Sequence, residues 1–398
     1  SSDKATQTFC GKAVFNLLGH ADSQNYAVQA GAIPVLSTLC TLGEPEVETA
    51  AADICLLLSG EAAYRQEITE ANVVPALIES AKSQNPATCQ SSLRVLAHLA
   101  WWSHMRTCII HAEVMPTLAS LIEQTPSIVP GDLLTEKLIL HIITYISCVS
   151  EEYKVMLVQN NILPLLDILF CRLSSSGDIA CALHARKFIA MSVRSLTASQ
   201  GAINKLVGDG AIRLVCNIMC AGEDTNSDVY ENCAISLYSV AQTQYYNDVL
   251  LEQGLLKAIS RLAQHPECFG IAASILYLLS SDPQHRELVV LDSGARNLLF
   301  AIADQPTHSK SAIQFCAQTL FCLSRCAAES REVLISAGIV PLLLRLSGHD
   351  DEKVASPCSE ALRNLSSEGS SAIEEGTVSR LLAEALSYPR ERKSAAII

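Results

Sequence analysis

The chain has 398 residues, of which 49% are hydrophobic and 5% aromatic, and its formal net charge at pH 7 is −13. A chain of this length usually has more than one compact hydrophobic core. The excess of acidic residues argues against nucleic-acid binding. No apolar run reaches the ~18 residues of a membrane span, and no secretory signal opens the chain. The 16 cysteines are scattered through apolar stretches, which predicts free, buried thiols in a reducing, cytoplasmic compartment.

The first predicted element is a helix over residues 1–18 that ends in an apolar stretch around Asn16. We interpret it as the last helix of a repeat whose earlier helices are missing, which suggests a fragment of a longer protein. Residues 19–389 then form the repeat region, and residues 390–398 form a charged C-terminal tail.

A short apolar unit, usually started by glycine or asparagine, recurs through the repeat region about every 43 residues. Its starting positions are separated by 38 to 49 residues, and they are Gly31, Asn72, Glu113, Asn161, Gly210, Gly254, Gly294, Gly338 and Gly376. A period of this size is typical of stacked helical repeats, which bury their cores in series.

Residues 64–100 show the predicted content of one repeat. A short helix ends at Asn72, a residue type that tolerates left-handed backbone, and Pro75 fits the first turn of the next helix. That second helix carries Val74, Leu77 and Ile78 at helical spacing, and a third helix follows the loop at residues 83–88. No strand signal appears in the sequence. We therefore predict an all-α, right-handed superhelical solenoid of about nine three-helix repeats, whose third helices line a concave face.

The unit Gly31-Ala-Ile-Pro-Val-Leu, the loop Gly-Glu-Pro-Glu and the ending Ala361-Leu-Arg-Asn-Leu-Ser resemble the armadillo repeat. The resemblance covers essentially the whole chain. It implies a protein whose activity is binding other proteins, since the family includes import receptors, adhesion and signalling scaffolds, anchoring proteins and axonemal components.

The resemblance also directs attention to one position near the end of each third helix, the ladder position, where many armadillo proteins carry a peptide-binding Asn. The aligned residues are Asn16, Leu56, His98, Cys148, Ser195, Ser239, Leu278, Cys322 and Asn364, of which only the first and last keep Asn. The Trp that import receptors carry one turn earlier is absent throughout, and Arg94 is one of its replacements. We therefore do not expect recognition of basic import signals.

The first candidate binding site is the central repeat, which presents Lys187, Met191, Arg194 and Ser195 toward the predicted groove. The surrounding segment 170–213 contains six basic and two acidic residues within an acidic chain. Such a segment favours acidic ligands, although an ordinary solvated helix face would have the same composition.

Aromatic residues supply two further candidates. Tyr238, Tyr277 and Phe321 each precede a ladder position, so they form either a binding stripe or part of the core. The adjacent Trp101 and Trp102 point about 100° apart on a helix, which predicts one between repeats and one at the surface as an anchor; burial of both is the alternative.

No catalytic, cofactor-binding or metal-binding motif appears, so we predict no catalytic residue, cofactor or metal. The predicted function is a non-enzymatic scaffold or adaptor that engages acidic or amphipathic segments of partner proteins along the groove. The alternative is a structural component that packs laterally into a cytoskeletal, axonemal or membrane-anchored assembly, with a cytoskeletal or ciliary location. The partner and the oligomeric state stay open.

Overall fold

The computed structural model describes residues 4–18, 21–124, 133–222, 226–304 and 309–366. These residues contain 25 α-helices, three short 3-10 helices and no strand, which confirms the all-α repeat prediction. The chain divides into two compact units at Gly210. The last predicted repeat, which starts at Gly376, and the tail at 390–398 lie outside the described residues.

The first unit contains fourteen helices within the described residues. Their bounds are α1 Lys4–Leu18, α2 Ala21–Gln29, α3 Ala32–Leu39, α4 Pro45–Leu58, α5 Ala62–Glu70, α6 Val73–Ser80, α7 Pro86–Trp101, α8 Ser103–His111, α9 Val114–Gln124, α10 Leu134–Ser147, α11 Glu151–Gln159, α12 Ile162–Ser174, α13 Ile179–Thr197 and α14 Ile203–Gly208. The third helices α1, α4, α7, α10 and α13 pack one on the next, and the second helices α3, α6, α9 and α12 form a parallel layer.

The second unit repeats this arrangement. Its helices are α15 Ala211–Cys220, α16 Ser227–Ala241, α17 Asn247–Glu252, α18 Leu255–Ser260, α19 Phe269–Ser281, α20 Pro283–Leu291, α21 Ser293–Asp304, α22 Lys310–Leu323, α23 Ala328–Ser336, α24 Ile339–Ser347 and α25 Glu352–Ser366, and the 3-10 helices are Gln244–Tyr246, Arg261–Gln264 and Pro266–Cys268. The third helices α16, α19, α22 and α25 form one layer, and the second helices α15, α18, α21 and α24 form the other.

The core of each unit lies between these two layers. In the repeat built from α5, α6 and α7, Val74, Leu77 and Ile78 of α6 are buried as their spacing predicts. They face α7, whose Leu96 and Leu99 are also fully buried. The fifteen cysteines that the structure describes are free, and ten of them are buried, in agreement with their apolar setting.

The recurrent turn before the second helix uses left-handed backbone at most of its positions. The φ angles are 85° to 96° at four glycines and 55° to 59° at three other residues, and the positions are Gly31, Gly210, Gly254, Gly338, Asn72, Glu113 and Asn161. Asparagine tolerates this conformation because its short polar side chain reduces the steric cost, whereas glutamate does not. Glu113 is therefore the strained member of the series.

Replacing Glu113 by glycine is expected to raise the free energy of unfolding by about 1 kcal/mol, because glycine adopts φ near +56° without the steric cost of a Cβ. The midpoint of chemical denaturation measures the change. The matched control is Glu67→Gly, since Glu67 is exposed in the interior of α5 and glycine there should destabilise the helix by about 1 kcal/mol. A loss of stability in both variants would contradict the explanation.

Candidate protein-binding surface

Three neighbouring third helices, α7, α10 and α13, share an unusual charge distribution. Their acidic content is a single residue, Glu136, whose side chain is buried with 4% of its surface exposed. Their basic side chains at the surface are Arg94, Lys137, Lys187 and Arg194. This surface is therefore positive within a chain of net charge −13.

The residues of this surface share a face because they recur at intervals of three, four and seven along each helix. We call it the basic third-helix face and define it by Arg94, His98, Trp101, Lys137, His141, Tyr145, His184, Lys187, Phe188, Met191, Arg194 and Ser195, all of which are exposed or half-buried. The packing of α7 on α10 and of α10 on α13 brings the three rows together.

The basic sequence segment 170–213 does not form one surface. Arg186 is buried, with 3% of its surface exposed, and Lys205 pairs with Asp209 at 2.9 Å. Of the six basic residues of this segment, only Lys187 and Arg194 lie on the basic third-helix face. The reason is helical geometry, because Arg186 and Lys187 are adjacent in sequence but point about 100° apart. Arg94 and Lys137 supply the other charges of the surface.

Aromatic and imidazole rings occupy the middle of the basic third-helix face. Trp101 meets Tyr145 edge to face with ring centroids 5.2 Å apart, and Tyr145 meets Phe188 at 6.5 Å. The ring centroids of His141 and His184 each lie 4.5 Å from the ring centroid of Phe188. Such clusters offer large contact area with little loss of side-chain entropy, as binding surfaces commonly do.

His141 and His184 also contact each other directly. Their Nε2 atoms are 2.9 Å apart, so one ring donates a hydrogen bond to the other. Burial lowers the pKa of His141. The pKa of His184 is lowered to about 4, mainly by burial and further by the charges of His141, Lys137 and Lys187. Both rings are therefore neutral at pH 7.

Three polar residues at the ladder position, His98, Ser195 and Asn364, form hydrogen bonds between repeats. Each of them contacts a residue at the C-terminal end of the third helix of the preceding repeat. The pairs are His98 Nδ1 with Ser59 Oγ at 2.7 Å, Ser195 Oγ donating to Ser147 O at 2.7 Å, and Asn364 Nδ2 donating to Ser324 Oγ at 3.0 Å. These three side chains therefore have hydrogen-bond partners inside the protein.

These contacts also correct the alignment of the ladder. Arg65, Arg106 and Arg286 each donate hydrogen bonds to the backbone carbonyls five and six residues earlier in the chain. These arginines are therefore equivalent, and so are the residues eight positions before them, which are Leu57, His98 and Leu278. The ladder residue of α4 is thus Leu57 and not Leu56. Ser59 and Ser324 then each lie two residues after a ladder residue, so the bond from Ser195 to Ser147 O assigns Tyr145 in place of Cys148.

The same correction applies to Asn16. Each ladder residue precedes a fully or largely buried residue, and in α1 that buried residue is Leu18. Leu17, which is 52% exposed, therefore occupies the ladder position of α1, while Asn16 lies one residue earlier and is exposed.

The two tryptophans differ in environment. Trp101 is 59% exposed and lies on the basic third-helix face. Trp102 is half-buried beneath Arg65, whose guanidinium carbon is 3.8 Å from the ring centroid. Its ring also meets His98 edge to face at 6.4 Å. Burial, followed by the charge of Arg65, lowers the pKa of His98.

The aromatic residues predicted in the second unit are all half-buried. Tyr238 lines an open depression of about 780 Å³ together with Ile271, Gly270 and Ser274. Tyr277 packs on Phe315 with ring centroids 5.6 Å apart, and Arg325 lies 5.7 Å from the ring of Phe321. The three rings therefore have separate neighbours. Ser239, also half-buried, donates its hydroxyl to the carbonyl of Ile235 at 2.9 Å.

Sequence reasoning missed the centre of the basic third-helix face, which is His141, Tyr145, His184 and Phe188. The repeat period gave no direct signal for the histidine pair. His141 and His184 are 43 residues apart, whereas equivalent residues of α10 and α13, such as Ser147 and Ser195, are 48 apart.

In the ranges that the structure describes, no cluster of three or more His, Cys, Asp or Glu residues is arranged to hold a metal ion. In the same ranges no single helix is long and apolar enough to cross a membrane, although Glu151–Gln159 and Ile162–Ser174 pass that test together as a pair bent by 70°.

A family model described as Armadillo/beta-catenin-like repeat matches residues 328–367, which contain α23, α24 and α25. No curated protein matches the chain. Among solved structures, an engineered protein is similar with a TM-score of 0.63 and 21% identity, over 100% of this chain and 95% of that one. A structure from work on a phosphorylation switch that controls the interaction between cadherin and beta-catenin is similar with a TM-score of 0.69 and 12% identity, over 97% of this chain and 70% of that one. The fold is therefore an armadillo-type helical repeat.

Proposed function

We propose that this armadillo-type protein is a non-enzymatic scaffold that binds an acidic segment of a partner protein on the basic third-helix face. The observation that carries the proposal is the charge distribution of α7, α10 and α13, which place four exposed or half-buried basic residues at the surface and bury their single acidic one. A positive surface in a negatively charged protein attracts acidic segments specifically, because the rest of the surface repels them.

The size of the surface defines the length of the ligand. Packed helix axes lie about 8–10 Å apart, so three third helices span roughly 20 Å. An extended chain covers this distance with about six residues. Trp101, which is 59% exposed, and the half-buried Tyr145 provide contacts for an apolar side chain between the acidic ones. The preferred ligand is therefore a short extended segment that carries acidic, apolar and acidic side chains at every second residue, because these side chains point to the same side of an extended chain.

Charge reversal tests the proposal. The probe is a fluorescein-labelled peptide with glutamate, leucine and glutamate at every second position, and fluorescence anisotropy measures its affinity. The double variant Lys187→Glu, Arg194→Glu is expected to bind it at least about tenfold more weakly, because two attractive contacts become repulsive. Raising the salt concentration should weaken binding to the unmodified protein in the same direction.

The matched control is Lys257→Glu, Arg261→Glu, since these two exposed residues lie on α18 and the adjacent 3-10 helix and the change in net charge is identical. The control should retain nearly full affinity. Equal weakening in both variants would show that only net charge matters. Unchanged binding in the first variant would contradict the proposal and favour lateral assembly through other surfaces.

A further inference from the structure

The facing imidazoles of His141 and His184 can hold one extra proton between them without separating. In the neutral pair, one ring donates its Nε2–H to the Nε2 of the other across 2.9 Å. A proton added to the free Nδ1 of the donor ring creates an imidazolium that still donates the same hydrogen bond, which becomes charge-assisted and stronger. A second proton would place hydrogen on both Nε2 atoms and force the rings apart.

The groups around the pair disfavour this protonation while no anion is bound. The helices α7, α8, α12 and α14 pack around α10 and α13. Among all six helices only two carboxylates occur, against many basic groups. The acidic side chains are Glu136 and Asp167, and the basic or imidazole ones besides the pair are Arg94, His98, His104, Arg106, His111, Lys137, Arg172, Arg186, Lys187, Arg194 and Lys205. Burial disfavours protonation of both rings, and the charges of Lys137 and Lys187 further lower the pKa of His184.

We propose that the His141–His184 pair is a proton-operated part of the binding surface, which takes up one proton when an acidic segment binds and so makes that binding stronger at lower pH. This inference rests on the proposed function. A carboxylate bound beside the pair supplies the negative charge that the surroundings lack, and it therefore raises the affinity of the pair for a proton. Because binding and protonation favour each other, the coupling operates in both directions.

The direction of the pH dependence of binding, and the pH range over which it occurs, follow from this coupling. The free pair is neutral near pH 7, and a bound carboxylate favours its protonated form, so affinity for the acidic segment rises as the pH falls from about 7.5 to about 5.5. The slope is at most tenfold per pH unit, because one proton is taken up. The glutamates of the ligand stay ionised over this range, since their usual pKa is about 4.3.

Isothermal titration calorimetry with the glutamate–leucine peptide tests the inference. Measurements at about pH 6.5 in two buffers of different ionisation enthalpy count the protons taken up on binding, with close to one expected. In His184→Gln the affinity should no longer depend on pH between about 5.5 and 7.5, whereas His104→Gln, which replaces an exposed histidine of α8, should keep the original dependence.

Each result has a distinct meaning. Binding that takes up no proton in the unmodified protein overturns the inference and leaves the proposed function standing. Absence of binding at every pH overturns the proposed function itself. Because the proton count uses the unmodified protein, the inference is tested even if His184→Gln fails to fold. A full pH dependence that persists in folded His184→Gln would also overturn it.

Discussion

Replacing Arg65 by methionine is expected to lower the free energy of unfolding by about 3 kcal/mol. Arg65 is 5% exposed, and its Nη1 donates hydrogen bonds to the carbonyls of Ser59 and Gly60 at 2.8 and 3.0 Å. These carbonyls follow the last turn of α4, where backbone acceptors have no partner within the helix. The guanidinium also covers the ring of Trp102 at 3.8 Å. Methionine keeps the apolar stem and removes every one of these polar contacts.

Chemical denaturation followed by tryptophan fluorescence measures this loss, because Trp102 lies in contact with the altered side chain. The matched control is Arg94→Met, since Arg94 is exposed on α7 and its replacement should change stability by no more than about 0.5 kcal/mol. A similar small effect in both variants would show that the arginine contacts contribute little.

The same variant provides an independent readout at His98. Burial lowers the pKa of His98, and the charge of Arg65 lowers it further. Removing that charge is expected to move the pKa of His98 back toward its usual value of about 6.5, which NMR titration detects. Arg94→Met should be compared in the same titration. A pKa that stays unchanged in Arg65→Met would show that burial alone sets it.

The repeated helices could be predicted from the sequence because their signals are local. These signals depend on residues close together in the chain. Examples are the left-handed turns at Gly31 and Asn72 and the helical spacing of the apolar residues Val74, Leu77 and Ile78. The structure confirms these elements. The family resemblance extended the same information to the whole chain.

The predicted ladder position was wrong by one residue in α4, where it is Leu57 and not Leu56, and by three in α10, where it is Tyr145 and not Cys148. The reason is that the loops between helices vary in length and no local signal shows where a third helix ends. The structure fixes the register through contacts between repeats, such as Ser195 Oγ with Ser147 O at 2.7 Å. Such contacts join residues 48 positions apart, and a scan of neighbouring residues cannot reveal them.

The basic third-helix face was the least predictable part for the same reason. The segment 170–213 is basic in sequence, but Arg186 turns inward while Lys187 stays at the surface. The positive face arises from α7, α10 and α13 together, and its histidine pair joins two repeats. Composition identified the sign of the surface, and only packing identified its members.

Replacing Gly294 by alanine is expected to lower the free energy of unfolding by about 2–3 kcal/mol, through overpacking rather than backbone strain. A Cβ at this position would lie 2.5 Å from the Cβ of Ser260 and 3.1 Å from its Oγ. Gly294 belongs to the recurrent unit of the sequence, yet it is not among the glycines with positive φ. It is the second residue of α21 and allows this helix to approach α18.

Gly254→Ala separates the two reasons for glycine. Gly254 has φ of 91°, and a Cβ there would meet nothing within 4 Å, so alanine should cost about 1 kcal/mol through backbone strain alone. Adding Ser260→Gly should recover a large part of the loss in Gly294→Ala, because it removes the atoms that clash, and it should recover none of the loss in Gly254→Ala. Denaturation midpoints of the single and double variants measure both couplings. Equal recovery in the two backgrounds, or none in either, would show that close packing is not why glycine occupies position 294.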